Sequence, residues 1–260
     1  MLSLEPQRTQ YDWNFRILGF PVRVHPLFWL IALISGLGAG DDPAAILVWV
    51  GVVFVSILVH ELGHALMIQR FGRRAHIVLY GMGGLAIEGS DDPYGYEYSS
   101  SRPRTTKEQI LISAAGPAAG FALAALTVVL VYALRGQIHT YWVRNTIPLF
   151  FADFQGMNVN RHLHSLVNSL LYVNIFWGLI NLLPVIPLDG GQISQAVFTA
   201  QDPWQGITKA LWLSVWTGAI TAVLGMVIFQ SMFLVLIFAS LAYSSYMTLQ
   251  QLGGGGGRGW

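Results

Sequence analysis

The 260-residue chain contains no cysteine. Disulfides and thiolate metal sites are therefore excluded, and any metal must be held by His, Asp or Glu. Charge is scarce too: Asp, Glu, Lys and Arg make up 10% of the residues, against about 25% in a soluble domain. With 54% hydrophobic residues and a mean hydropathy of +0.54, water is the wrong solvent for this surface. The formal net charge is only +1, and the few basic residues cannot track a phosphate backbone, so no nucleic-acid partner is expected. There is no internal repeat and no sign of a second, soluble domain. The lipid bilayer is the expected surrounding.

Six apolar segments can be drawn, at roughly 26–40, 44–68, 108–134, 165–187, 207–229 and 231–250. The first is short for a span of about 20 residues. It begins late for a cleavable signal peptide and no small-x-small cleavage site follows, so a retained span is expected. The last two are separated only by Gln230 and Ser231, and Gly225 is an alternative break. With a cytoplasmic N-terminus and six alternating spans, eleven Lys and Arg residues fall on the cytoplasmic side and three (Arg135, Arg144, Arg161) on the other. That is a positive-inside bias with both termini cytoplasmic. The expected fold is an all-α polytopic membrane protein of about six transmembrane helices. A cytoplasmic segment 1–21 would precede a membrane core at 22–250, and a Gly-rich disordered tail would follow at 251–260.

One stretch departs from helical patterning. Residues 75–88 hold two short runs rich in Ile, Val and Leu around Gly81-Met82-Gly83-Gly84, a β-hairpin signal between the second and third spans. It is either an ordinary cytoplasmic hairpin or a substrate-facing edge, with Gly81, Gly83 and Gly84 as the substrate-binding positions, since exposed edges take extended peptides. Residues 89–103 read as a mobile polar loop.

The chemistry is concentrated in His60-Glu61-Leu62-Gly63-His64, inside the second apolar segment. On a helix, H-E-x-x-H places two imidazoles about 6 Å apart along the axis on nearly the same face. Two neutral ring nitrogens can then share one zinc ion, with room for a third ligand and a water. Glu61 lies beside the pair, where a carboxylate can take a proton from that water. Unpartnered, each of the three ionisable groups would cost roughly 2.5–3.5 kcal/mol at a bilayer centre. A metal is the partner that satisfies all three, so the pattern reads as an intramembrane metalloprotease. A histidine pair serving a proton relay is the other reading of this stretch alone. His162 and His164 lack such a pattern and are expected in a wet loop away from the site.

The fourth segment ends Asn181-Leu-Leu-Pro184-Val-Ile-Pro187-Leu188-Asp189-Gly190-Gly191. Two prolines break the helix there and let the backbone turn, so Asp189 can be aimed toward the histidines as a third ligand. Taken alone, Leu-Asp-Gly-Gly is a turn at the end of a span.

Together the two motifs resemble the site-2 protease family of intramembrane zinc metalloproteases. Its H-E-x-G-H-A pattern matches His60 to Ala65, and N-x-x-P-x-x-x-L-D-G matches Asn181 to Gly190. Ala115-Gly116-Pro117 at the third span and Gly-Phe-Pro-Val-Arg-Val-His-Pro at 19–26 also fit, so the likeness covers about 19–250. With no recognisable PDZ or CBS domain, it implies a minimal, core-only member of prokaryotic type. The resemblance implies one zinc per chain held by His60, His64 and Asp189, with Glu61 as general base and acid. It puts Asn181 near the scissile carbonyl; an interhelical hydrogen bond is the other reading of that amide. The implied substrate is a transmembrane protein cut in or near its span, with access from the cytoplasm. Two rival classes remain at this point. A zinc-binding membrane protein that holds spans without cutting has no need of Glu61, and an ion transporter would be expected to show paired halves. The Gly116-x-x-x-Gly120 stripe reads as close helix packing without a catalytic part.

Overall fold

The computed structural model describes residues 6–37, 42–81, 83–89, 102–143, 147–154 and 160–254. The chain is mainly helical and divides into two compact units, one comprising 1–103 and 115–178, the other 104–114 and 179–260.

The first unit opens with a hairpin, β1 (Trp13–Ile17) and β2 (Phe20–Val24), whose turn residues Leu18 and Gly19 both have positive φ. Such a turn matches the twist of the flanking strands. Helix α1 (Pro26–Gly36) follows, started by Pro26 and capped by His25, whose Nδ1 accepts from the Leu27 N–H at 3.1 Å. Asp42 caps α2 (Pro43–Arg70) in the same way through the Ala44 N–H. β3 (Ala75–Tyr80) and β4 (Gly83–Glu88) then form the expected strand pair. They join the N-terminal hairpin through parallel β2–β3 pairing, giving a sheet of order β1-β2-β3-β4. Val22, Val24, Ile77, Val78 and Leu79 form its buried layer.

Helix α3 (Thr106–Ala133) starts with a capping box. The Glu108 N–H donates to Thr105 Oγ1, and Glu108 Oε2 accepts from the Thr105 N–H. A second hairpin, β5 (Gln137–Val143) with β6 (Ile147–Asp153), leads to α4 (Arg161–Tyr172). The Asn168 side chain closes the edge of β6, accepting from the Ala152 N–H at 2.7 Å and donating to its carbonyl at 3.2 Å. A π-helical turn at Val173–Trp177 continues into α5 (Gly178–Asn181). At that turn Asn174 Nδ2 donates both to the Leu170 carbonyl of the preceding turn and to Ser56 Oγ on α2. An amide inserted into the i→i−4 ladder is a recognised cause of such an irregularity.

The second unit holds the start of α3, then α6 (Asp189–Gln201), α7 (Gly206–Val227) and α8 (Met232–Gly254). Its core gathers Val185, Ala222, Phe238 and Leu241.

Among the described residues, five helices are long and apolar enough to cross a membrane: 43–70, 106–133, 161–181, 206–227 and 232–252. Helix α1 has eleven residues, about 16 Å, and is not among them. Several expectations are corrected here. Among the described residues the chain holds two sheets, one of which includes the expected hairpin, so it is mainly helical rather than all-α. The fourth apolar segment stops as a helix at Asn181 rather than at 187, while the break itself falls at Pro184 and Pro187 as expected. Leu-Asp-Gly-Gly is not a closing turn: Asp189 starts α6. His162 and His164 lie within α4 rather than in a loop. Gly225 is inside α7, and the break falls at 228–231, where Gln230 has positive φ. Residues 251–254 continue α8, while the rest of the expected tail, and 90–101 of the expected polar loop, lie outside the described residues.

Candidate metal centre

His60 and His64 project from successive turns of α2, and their Nε2 atoms lie 3.1 Å apart with the rings at 78°. Glu61 completes a group whose potential ligand atoms all lie within 4.8 Å of one another. His60, Glu61 and His64 are 6%, 4% and 8% exposed, respectively. Two nitrogens each about 2.0–2.1 Å from one tetrahedral ion would be separated by roughly 3.3 Å, so the donor set fits zinc. Because α2 satisfies its own backbone, it can hold these polar side chains in apolar surroundings without opening its ladder.

Space for the group is made by glycines on neighbouring elements. A Cβ at Gly116 of α3 would sit 2.7 Å from His60 Nε2 and closer still to His64 Nε2. A Cβ at Gly84 of β4 would fall 2.5 Å from the Glu61 carboxyl carbon and Oε1. Gly63, between the histidines, allows the approach of α3 itself, since a Cβ there would collide with the Ala115 carbonyl and meet Ala119 Cβ at 2.8 Å. Gly116 therefore borders the candidate site, a part that reading it as helix packing alone misses. The Ala-Gly-Pro signal was visible, but not what the glycine faces.

The hairpin glycines divide. Gly84 covers Glu61; Gly83, with φ +124°, has Trp177 as its nearest neighbour; Gly81 packs toward Leu27 and Ile31 of α1. Asn181 and Asp189 belong to the other unit, both buried at 8% and 7% exposed, at the end of α5 and the first residue of α6. There Gly190 and Gly191 lie directly on the backbone of 182–186, where any Cβ would collide.

Residues 48–225, well over half of the chain, match the model of peptidase family M50. The chain belongs to peptidase family M50. Among the relatives of this M50 chain, zinc metalloprotease MJ0392 of Methanocaldococcus jannaschii is 26% identical over 197 residues, covering 75% of this chain and 48% of the relative. Stage IV sporulation protein FB of Bacillus subtilis is 28% identical over 185 residues, covering 71% and 50%. The chain thus spans about half the length of these relatives. The fold is similar to that of the site-2 protease from Methanocaldococcus jannaschii, with a TM-score of 0.53 and 21% identity over 92% of this chain and 95% of that one.

Proposed function

We propose that the protein is an intramembrane zinc metalloprotease that hydrolyses peptide bonds in or near the spans of membrane proteins. The observation that carries this reading is the buried pair of imidazoles with Nε2 atoms 3.1 Å apart, flanked by Glu61 and left open by Gly116. In it His60, His64 and Asp189 hold one zinc per chain. Asp189 is supported by the N-x-x-P-x-x-x-L-D-G match and by its burial at the start of a helix. Zinc, when bound, supplies Lewis acidity that lowers the pKa of water and polarises a peptide carbonyl. Glu61 accepts the proton from the attacking water and returns it to the departing amine. Asn181 offers an amide donor to the scissile carbonyl or the oxyanion.

The substrate enters as an extended chain, because a helical carbonyl is hydrogen-bonded within its own helix. Strand β4 is the outer strand of its sheet among the described residues, and Gly84 lies on Glu61. A peptide added along β4 would run past the general base. Six segments cross the bilayer in this reading, α1 being the first and shortest, and the β3–β4 hairpin lies between the second and third. Both termini and the entrance to the site are cytoplasmic, supported by the distribution of basic residues.

The decisive experiment compares purified wild type with Glu61→Gln for bound zinc and for cleavage of a model span in detergent. Stoichiometric zinc in both, with cleavage in wild type alone, is the expected result. Zinc without cleavage in either points to a span-holding protein, and no zinc in either removes the site.

A further inference from the structure

The turn between Asn181 and Asp189 is gripped from both sides within the second unit. Breaking a helix frees backbone groups that need new partners in apolar surroundings. Here the Ile186 N–H donates to Ser214 Oγ on α7 at 2.7 Å, and Ser214 Oγ lies 2.9 Å from Ser245 Oγ on α8. Both serines are buried, at 0% and 3% exposed. From the other side Gln192 Nε2, one turn into α6, donates to the Pro187 carbonyl at 3.2 Å. Gln192 Oε1 accepts from Gln109 Nε2 of α3 at 3.0 Å, and Gln109 Oε1 accepts from Arg104 Nη1 at 2.9 Å. Gln109 Nε2 also reaches Ser113 Oγ at 3.2 Å.

The two chains close on adjacent residues, the Ile186 N–H and the Pro187 carbonyl, three and two positions before Asp189. Every amide in the outer chain accepts from the Arg104 side and donates toward the turn, so the cation at its end polarises each bond in the same sense. Gly190 and Gly191 seat the start of α6 on the same stretch of backbone. A cavity of about 420 Å³ opens along the outer chain, lined by Arg104, Gln109, Gln192 and Thr199. Gln192 therefore has free space beside it, and a side chain of similar length can replace it without repacking the core.

We propose that Ser214, Gln192 and Gln109 are positioning residues. They hold the backbone that carries Asp189 and so set how its carboxylate is presented for zinc binding. The inference rests on Asp189 being the third ligand.

The test uses the full chain in detergent, with the zinc dissociation constant measured by chelator competition for wild type, Asp189→Asn, Ser214→Ala and Gln192→Met. kcat, KM and Tm are measured on the same preparations, and hydrogen exchange is followed at the Ile186 amide. Ser214→Ala and Gln192→Met should each weaken zinc binding roughly 10–100-fold, as loss of a group that orients a metal ligand does. kcat should fall while KM stays near wild type, and the Ile186 amide should exchange faster in Ser214→Ala. Zinc loss in Asp189→Asn with wild-type affinity in Ser214→Ala and Gln192→Met overturns the positioning role and leaves the ligand reading standing. Wild-type zinc affinity in Asp189→Asn overturns the ligand reading, and this inference with it. A lowered Tm without a change in zinc affinity reduces both chains to structural contacts.

Discussion

The two units carry buried polar groups by opposite means. In the first, α2 runs unbroken for 28 residues and presents His60, Glu61 and His64 from a ladder that satisfies itself. The surroundings have only to make room, which Gly116, Gly84 and Gly63 do by lacking a side chain. In the second, the backbone stops being helical after Asn181, and the groups that need partners include the backbone's own N–H and carbonyl. The surroundings must then be polar, and Ser214 and Gln192 supply what the helix has given up. A regular element can carry ionisable side chains among small neighbours, whereas an irregular one requires hydrogen-bonding neighbours.

The largest effect expected in the first unit is chemical. Glu61→Gln should lower the rate of peptide cleavage by roughly 10²–10⁴-fold, the usual contribution of a general base, and leave zinc content unchanged. A zinc-loaded variant that still cleaves near the wild-type rate would show the proton to be taken elsewhere.

Steric loss comes next. Gly116→Val should drive a branched side chain into both imidazoles, abolish stoichiometric zinc binding and cost about 1–3 kcal/mol through overpacking. Metal analysis together with thermal unfolding checks both parts. Gly120→Ala, four residues along, has ordinary contact distances to Asn174, 3.6 Å at the nearest, and should keep its zinc. Equal behaviour of the two variants would erase the distinction between a glycine that borders the site and one that only packs.

In the second unit the damage should be to the backbone. Ser214→Ala leaves the part-buried Ile186 N–H without its acceptor and should cost about 1–3 kcal/mol, read as a lowered Tm at saturating zinc. A cost near zero would mean that the broken turn does not depend on its polar surroundings, which removes the contrast between the units.

The β5–β6 hairpin tests the same rule on a third stretch. Asn168→Ala should release both groups of Ala152, speed hydrogen exchange along β6, and cost about 1 kcal/mol. Unchanged exchange at Ala152 would show that the amide is not what closes that edge.

The smallest effect belongs to an exposed pair at the start of α7. Lys209 donates to the Asp202 carboxylate at 2.8 Å, and that bond, with the Gln205 and Trp204 N–H groups, holds the Asp202 pKa below its ordinary value of 3.8. A carboxylate with a depressed pKa stabilises the fold above its unfolded value and loses that contribution as pH falls through the folded one. Any Tm gap between wild type and Asp202→Asn should therefore be present at pH 7 and close below pH 3.8. A gap that persists at low pH would mean that the capping geometry, not the charge, matters.

Much of the candidate site was legible in the sequence because its signals are local. H-E-x-x-H is a spacing on one helix, and α2 delivers His60, Glu61 and His64 together, as that spacing implies. The hairpin at 75–88 was legible from β-branched runs around glycines. The β1–β2 hairpin was missed, although Leu18-Gly19 is a usable turn signal between alternating residues. Helix α6 was missed because Asp189-Gly190-Gly191 opens it. Two glycines are poor helix formers, tolerated here because α6 begins against the backbone of 182–186.

What the sequence determined by itself was the solvent, the absence of thiol chemistry, the pair of motifs and the break at Pro184 and Pro187. All of these follow from composition or from spacings shorter than three helical turns. What only the tertiary structure decided was which distant residues serve those motifs. Gly116 faces the imidazoles from 52 positions beyond His64, and Gln109 reaches Gln192 across 83. Such pairings depend on how helices pack, and packing is set by shape and by the need to satisfy buried polar groups, neither of which has a period along the chain.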